Sequence, residues 1–194
     1  PNKLGLPPLT TQIQVISPMY RGLCGVDNLN AELQARLNPQ REGLKLGNRE
    51  FRVRDKVMQI RNDYDKEIYN GDIGMIVYVD RQRFRILVDF DGREIGFEKD
   101  ELGDITHAYA VSVHKSQGSE YQAVVMPLLT QHYIMLQRNL FYTALTRAKT
   151  LSVIVGSYRA LHIAIKNDKP VLRKGRLKEK LTEGKPSFLR APPS

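Results

Sequence analysis

Hydrophobic and polar residues alternate along this chain with three successive periods. Near the start, "QIQVISP" is an alternating β-branched run closed by Pro18, and Gly22 and Gly25 follow as turn residues. In "VDNLNAELQARLNP" the apolar residues Val26, Leu29, Leu33 and Leu37 recur at helical spacing, and Asn38-Pro39 ends the run. Strand, Gly-bearing loop and helix together predict an α/β unit. From Phe51 to about Leu102 the period shortens. "FRVRDKVMQI", "GMIVYVD", "FRILVDF" and "REIGFEK" are short alternating runs separated by "YNGD", "DRQR" and "DG", where Asn-Gly and Asp-Gly signal tight turns. Some five short strands in this space predict a small antiparallel barrel. After Asp104 the α/β character returns. "AVVMPLL" and "LSVIVG" are continuous apolar runs suited to strands covered on both faces. The roughly twenty residues between them predict a helix with Leu136, Leu140, Ala144, Leu145 and Ala148 on its apolar face, and a last helix spans about Tyr158 to Lys166. The expected architecture is one α/β domain built from both ends of the chain, with an all-β barrel inserted in its middle.

Composition narrows the class of partner. The 194 residues suffice for a sizeable core. Lys and Arg number 30 against 21 Asp and Glu, a net charge of +9, which favours a polyanion held through its phosphates. Part of the excess lies in the basic, proline-ended stretch from Leu172, read as mostly disordered. Cys24 is the only cysteine, which excludes an intrachain disulfide and points to a reducing compartment, by default the cytoplasm. No run approaches the ~20 apolar residues of a membrane span, and the first residues lack the pattern of a signal peptide. The start at Pro1, without Met, reads as a fragment.

Candidate chemistry gathers where the predicted buried strands begin and end. One cluster is the polar knot His114, Lys115, Ser116, Gln117, Gly118, Ser119 and Glu120 directly before "AVVMPLL". The other is "LFYTALTRAKT", whose Thr143, Thr146 and Arg147 interrupt an apolar helix. A guanidinium this near the core requires an anion, either a carboxylate in a structural pair or a phosphate. The knot, equally, has the composition of a simple turn. The four histidines and the cysteine have no metal-ligand spacing, and no metal site is expected. A GxxxxGK(S/T) phosphate loop is missing, and in the nearest approach, "EGKPS", Pro186 takes the place of Ser or Thr.

These residues carry a family resemblance. "THAYAVSVHKSQGSEYQAVVMPL" and "QRNLFYTALTRAKTLSVIVG" resemble motifs V and VI of superfamily 1 DNA helicases, and within them the RecD-like branch. "QVISPMYRGLCGVDNLNAELQARLNP" is similar to the motif IV region of that branch, and the predicted barrel resembles its SH3-like insertion. The resemblance covers roughly Gln12 to Ala164. It implies a second RecA-like motor domain at 1–48 and 104–168, an SH3-like barrel at 49–103 and a basic tail at 169–194. In such enzymes ATP, with Mg, sits between two RecA-like domains, and the first brings the phosphate-binding lysine and the Mg-binding acid. By resemblance, Arg147 is the catalytic arginine that stabilises the transferred phosphoryl group, and Arg21, Gln117, Gly118 and Glu120 join it in binding ATP. Leu23-Cys24 departs from the Pro-Ala expected after Gly22. Ser112, His114, Lys115, Tyr142 and Thr143 would meet single-stranded DNA, and Ala108 to Ser116 would be a short helix. The implied partners are single-stranded DNA and the N-terminal RecA-like domain of the same protein, with 5′ to 3′ movement.

The barrel has a reading of its own. Arg52, Arg54, Lys56, Arg61, Arg81, Arg83 and Arg85 give it a basic surface, interleaved with Tyr64, Tyr69 and Tyr78 that could stack on bases. Three functions therefore compete: the motor half of a helicase, a non-motor nucleic-acid-binding module acting through the basic barrel, and a scaffold that contacts a protein partner through the barrel.

Overall fold

The computed structural model describes residues 5, 7, 10–40, 42–130 and 137–168. The expectations for Leu136 and for the tail at 169–194 lie outside these residues.

The two ends of the chain meet in one parallel sheet. Its strands β1 (Ile13–Ser17), β9 (Ala110–Ser112), β10 (Tyr121–Leu128) and β11 (Ala148–Gly156) lie in the order β11-β10-β1-β9. β1 pairs on one side with β10, Ile13 opposite Ala123, and on the other with β9, Ser17 opposite Ser112. The segment 108–116 is therefore not the short helix expected. Ala110, Val111 and Ser112 form a buried strand at one edge of this sheet, and 113–118 is a series of turns. A short apolar run beside an existing strand gains ladder hydrogen bonds that a one-turn helix cannot match.

Helix α1 (Val26–Leu37) follows β1, α2 (Arg138–Leu145) precedes β11, and α3 (Tyr158–Lys166) ends the described fold. The inner side of α1 is more polar than the leucine spacing predicts. Val26 and Gln34 are its buried residues, while Leu37 is exposed. The second helix is also shorter than expected. Ala148 starts β11 rather than extending the helix, because the Tyr121 N–H takes the Arg147 carbonyl at 2.8 Å and turns the chain into the sheet. β10 is buried as expected of a central strand. β11 lies at the edge of the sheet, and Leu151, Val153, Ile154 and Val155 are 38–56% exposed, against the expectation of cover on both faces.

Between α1 and β9 the strands are antiparallel. β2 (Gly43–Leu46) and β3 (Arg49–Arg52) form a hairpin, and β4 (Lys56–Gln59), β5 (Ile73–Asp80), β6 (Arg85–Phe90), β7 (Arg93–Phe97) and β8 (Ile105–His107) form a sheet ordered β7-β6-β5-β4-β8. Antiparallel pairing thus runs from Gly43 to His107, somewhat wider than 49–103. Its core holds Phe51, Val57, Ile76, Ile86, Val88 and Phe97. Ile16, Val111, Val124, Met126, Phe141 and Ala144 belong to the other core, under the parallel sheet.

β4 belongs to both cores. Successive side chains of a strand point to opposite faces, so Val57 enters the antiparallel core and Met58 the parallel-sheet core. Lys56 shares the Met58 face. It is not part of a basic surface. It is 2% exposed, its ammonium donates to the Ile13 carbonyl of β1 at 2.8 Å, and it lies 5.9 Å from the Tyr121 ring centroid. Burial pulls its pKa down to about 7.

The residue before it, Asp55, is fully buried and joins three elements. Gln34 of α1 and Asn38, which caps its C-terminus, donate to its carboxylate at 2.6 and 2.7 Å, the Arg52 amide at 2.8 Å, and the Tyr109 hydroxyl at 2.8 Å. His107 Nε2 lies 3.2 Å away. Burial alone would raise this carboxyl, but the bonds from His107, Arg52, Asn38 and Tyr109 outweigh it and hold the pKa below the ordinary value.

Two pH dependences follow from these groups. Asp55 contributes stability that is fully present above its unfolded pKa of about 3.9 and is lost as pH falls through its lower folded value. Asp55→Asn, which leaves buried donors unmatched, should cost on the order of 3 kcal/mol at pH 6 in urea melts. Its deficit should shrink below pH 3; a deficit that stays constant to pH 2.5 would refute the assignment. Lys56 acts in the opposite sense. Its folded pKa near 7 lies below the unfolded value of about 10.4, so the cost of its charge is full below pH 7 and fades towards pH 10. Lys56→Met should be the more stable protein at pH 6, with a gain that disappears by pH 10.

Candidate functional site

The knot joins the two ends of the parallel sheet. It leaves β9 at Ser112, level with Ser17, and enters β10 at Tyr121, two residues before the partner of Ile13. It thus runs back along the whole of β1, four residue steps of about 3.3 Å, roughly 13 Å. Val113 and Ser116 anchor it, both buried, with the Ser116 hydroxyl donating to the Val113 carbonyl at 2.8 Å. His114, Gln117, Gly118 and Glu120 stay exposed. Gly118 has φ +87°, a left-handed conformation that L side chains rarely adopt.

At the Tyr121 end the knot meets Arg147. The Tyr121 N–H to Arg147 carbonyl bond fixes the arginine beside Ser119, whose carbonyl accepts from the guanidinium at 3.4 Å, and a second long contact of 3.5 Å reaches the Thr146 hydroxyl. Among the described residues no carboxylate pairs with Arg147, and its buried Nε has no acceptor. The structural Arg–carboxylate pair, the alternative for this residue, is not found among the described residues. Glu120 instead pairs with Lys149 at 3.2 Å, in solvent. Beside them a cavity of about 360 Å³ opens between the parallel sheet and the antiparallel insert, lined by Gln12, Asp72, Ser119, Glu120, Gln122 and Lys149 among others. Arg147, Ser119 and Glu120 thus share one end of the sheet, whereas the Gln117 amide donates to the His114 carbonyl at 3.3 Å, in the turns that follow β9.

The Ser112 end is built differently. The Ser112 hydroxyl is only 3% exposed and lies 3.0 Å from the hydroxyl of Tyr20, while the Lys115 amide donates to it at 3.3 Å. The Lys115 ammonium donates to the Asn70 side chain, in the "YNGD" turn of the insert, at 2.6 Å. Arg21, expected beside Arg147, is not there. It follows Tyr20 in the loop after β1, past Ser17, and so lies at the opposite end of the sheet. Tyr142 and Thr143 are likewise not brought to Ser112. They sit in the last turn of α2, close in sequence to Arg147, and the Thr143 hydroxyl donates to the Asn139 carbonyl at 2.7 Å.

Charge on the insert is largely balanced. Arg52 pairs with Glu50 at 2.6 Å, Arg61 with Asp104 at 3.2 Å, Arg81 with Glu42 at 2.9 Å and Arg85 with Glu98 at 3.2 Å. With Lys56 buried, Arg54 and Arg83 are left of the seven basic residues. Tyr64, Tyr69 and Tyr78 are exposed, the first two in an edge-to-face pair. Sequence reasoning missed Asp55, His107 and Tyr109, because a lone Asp in "VRDKV" has the appearance of a solvated strand end. It also missed Tyr20 and Asn70. The one available signal was Asn-Gly, which marks a turn but not what the turn touches.

Comparison with known proteins gives a consistent family. The model described as ATP-dependent RecD-like DNA helicase SH3 domain matches residues 29–90, and that of the UvrD-like helicase C-terminal domain matches 107–155, together more than half of the chain. The ATP-dependent RecD2 DNA helicase of Deinococcus radiodurans is 43% identical over 152 residues, which cover 78% of this chain and 21% of that protein. The RecBCD enzyme subunit RecD of Mycolicibacterium smegmatis is 34% identical over 145 residues, 75% of this chain and 25% of that one. The chain spans about a quarter or less of the length of these relatives. Among solved structures, Pif1 helicase at forked double-stranded DNA superposes with a TM-score of 0.57 at 22% identity, over 89% of this chain and 45% of that one. Bacteroides Pif1 in complex with ADP-AlF3 and single-stranded DNA gives 0.55 at 21% identity, over 88% and 46%. At this identity the structures speak to the fold alone, a parallel sheet with helices and an antiparallel insert.

The Gly118 conformation yields a local test. Gly118→Ala should lower stability by about 1 kcal/mol, through backbone strain and not through a clash, since no atom lies within 4 Å of an added Cβ. Differential scanning calorimetry of the two proteins checks this, and an unchanged Tm would contradict it.

Proposed function

The chain belongs to the RecD-like family of DNA helicases, and on that premise we propose that it forms the second RecA-like motor domain of an ATP-dependent enzyme. The motor domain would comprise 1–48 and 104–168, with the SH3-like insert between. The whole protein would couple ATP hydrolysis to 5′ to 3′ movement on single-stranded DNA and to duplex unwinding, and the cytoplasm is its proposed place. Among the described residues no helix is long and apolar enough to cross a membrane.

The observation that carries this reading is Arg147. A half-buried guanidinium with no carboxylate partner among the described residues and an unpaired Nε fits an anion brought by a ligand. Its proposed task is to neutralise charge developing on the transferred phosphoryl group, and a planar, permanently charged donor suits that task. Gly118 keeps the neighbouring backbone free of side chain, and Glu120 can accept from a ribose hydroxyl once it leaves Lys149. ATP supplies the free energy of phosphoanhydride cleavage. Its phosphate-binding lysine and most Mg ligands would come from the N-terminal RecA-like domain, since this chain has no GxxxxGK(S/T) loop. The chain alone is therefore proposed to be inactive as an ATPase.

Coupling would follow from the knot. Closure of the two motor domains over ATP moves Ser119 and Arg147 at one end, and the same eight-residue segment carries His114 and Lys115 at the other, where single-stranded DNA is proposed to lie. The rival reading, a DNA-binding module acting through the basic barrel, has less support because most of that charge is paired.

In the intact protein, Arg147→Ala should lower DNA-stimulated ATP turnover by about 10³-fold, and Arg147→Lys should restore little of it. Both variants should retain single-stranded DNA binding. Unchanged turnover in Arg147→Ala would sink the motor reading.

A further inference from the structure

Ser112 was expected to meet the DNA backbone, yet the structure buries it. What covers it is Tyr20, 52% exposed, its hydroxyl 3.0 Å from the Ser112 hydroxyl. The loop that carries Tyr20 is held rigidly. The Val26 and Asp27 amides donate to the Met19 and Tyr20 carbonyls, the Gly25 amide to the Gly22 carbonyl, and the Ser17 hydroxyl to the Cys24 carbonyl. A Cβ on Gly25 would collide with the carbonyls of Tyr20 and Arg21, so the loop closes on itself here. These bonds leave Tyr20 and Arg21, consecutive residues of the loop, exposed on the Ser112 end of the sheet.

We propose that Tyr20 and Arg21 contact single-stranded DNA at this end beside His114 and Lys115, Tyr20 stacking on a base and Arg21 pairing with a phosphate, and that Ser112 is a positioning residue for Tyr20. The inference rests on the motor reading above for the presence of DNA, and it moves Arg21 from the nucleotide to the DNA. The chemistry of the cluster agrees. The Ser112 oxygen already takes the Lys115 amide, and its hydroxyl contact holds the phenol end of Tyr20 while the residue stays 52% exposed. Arg21 has no ion-pair or hydrogen-bond partner among the described residues, and a flexible cation beside an oriented aromatic ring is the usual makeup of a surface that tracks a single strand. Stacking requires no particular base, which suits a protein that advances along any sequence.

The test is fluorescence anisotropy of the intact protein with a labelled oligothymidylate across a salt series, alongside its affinity for a fluorescent ATP analogue without DNA. Tyr20→Ala should weaken DNA binding about tenfold and Tyr20→Phe, which keeps the ring, by much less. Arg21→Ala should weaken it and reduce the slope of log affinity against log salt by about one, with Arg21→Lys restoring the slope. Ser112→Ala should fall between wild type and Tyr20→Ala. Nucleotide affinity should not follow these losses. The proposal is overturned if Arg21→Ala loses nucleotide affinity and keeps DNA affinity, or if Ser112→Ala weakens DNA binding more than Tyr20→Ala. Normal DNA binding by both Tyr20→Ala and Arg21→Ala overturns the proposal and leaves the motor reading standing. Absence of any salt-dependent DNA binding by the wild type overturns both.

Discussion

One buried carboxylate decides how the two halves of this molecule sit together. Asp55 draws hydrogen bonds from helix α1, from the end of the β2–β3 hairpin and from the segment that leads back into the parallel sheet. A charge taken out of water is costly until its acceptor sites are filled, so these elements are constrained to converge on it. The adjacent Lys56 applies the same constraint from the other face of β4, reaching the first carbonyl of β1. Consecutive residues of opposite charge, pointing to opposite faces, fasten the insert to both sides of the fold.

With the insert fixed, the parallel sheet has two chemically different ends. Arg147, Ser119 and Glu120 occupy the ends where β10 and β11 begin, and Tyr20, Ser112 and Lys115 the ends where β1 and β9 finish. Parallel strands demand a crossover that returns along their length, and in this chain the crossover between β9 and β10 is too short to be a helix. The knot serves instead, and it touches the insert on the way, through Lys115 and Asn70. A connection forced by topology thereby links Ser112 at one end to Ser119 and Arg147 at the other.

Much of this was legible in the sequence, and the failures have specific causes. Alternation located the antiparallel strands and a continuous apolar run located β10, because those patterns follow from which faces are covered; the run of β11 marked a strand but not its exposure at the sheet edge. The same logic failed at Lys56, where alternation in "RDKVMQ" suggests one wet face but two cores flank the strand. It failed at α1, where Gln34 and Asn38 are buried as partners of a carboxylate about twenty residues away. Motif spacing brought Arg147 and Glu120 to one end of the sheet, since both directly precede strands. It misplaced Arg21, which follows β1 and so lies at the other end of the parallel sheet from residues that precede a strand. The basic count of the insert misled for a related reason: the acidic partners are scattered from Glu42 to Asp104 and meet only after folding.

The bond between Lys115 and Asn70 has a consequence for how such proteins can be recombined. An inserted barrel invites treatment as a cassette, to be cut from one relative and grafted into another at its two junctions. Here the junctions are not the only seams. A graft that brings a foreign turn opposite Lys115 changes the partner of a residue in the segment that joins the two working ends, so a chimera could fold faithfully and still lose its timing. Asn70, Asp55 and Lys56 form a minimal set that would have to travel with the knot and α1 as one inherited unit.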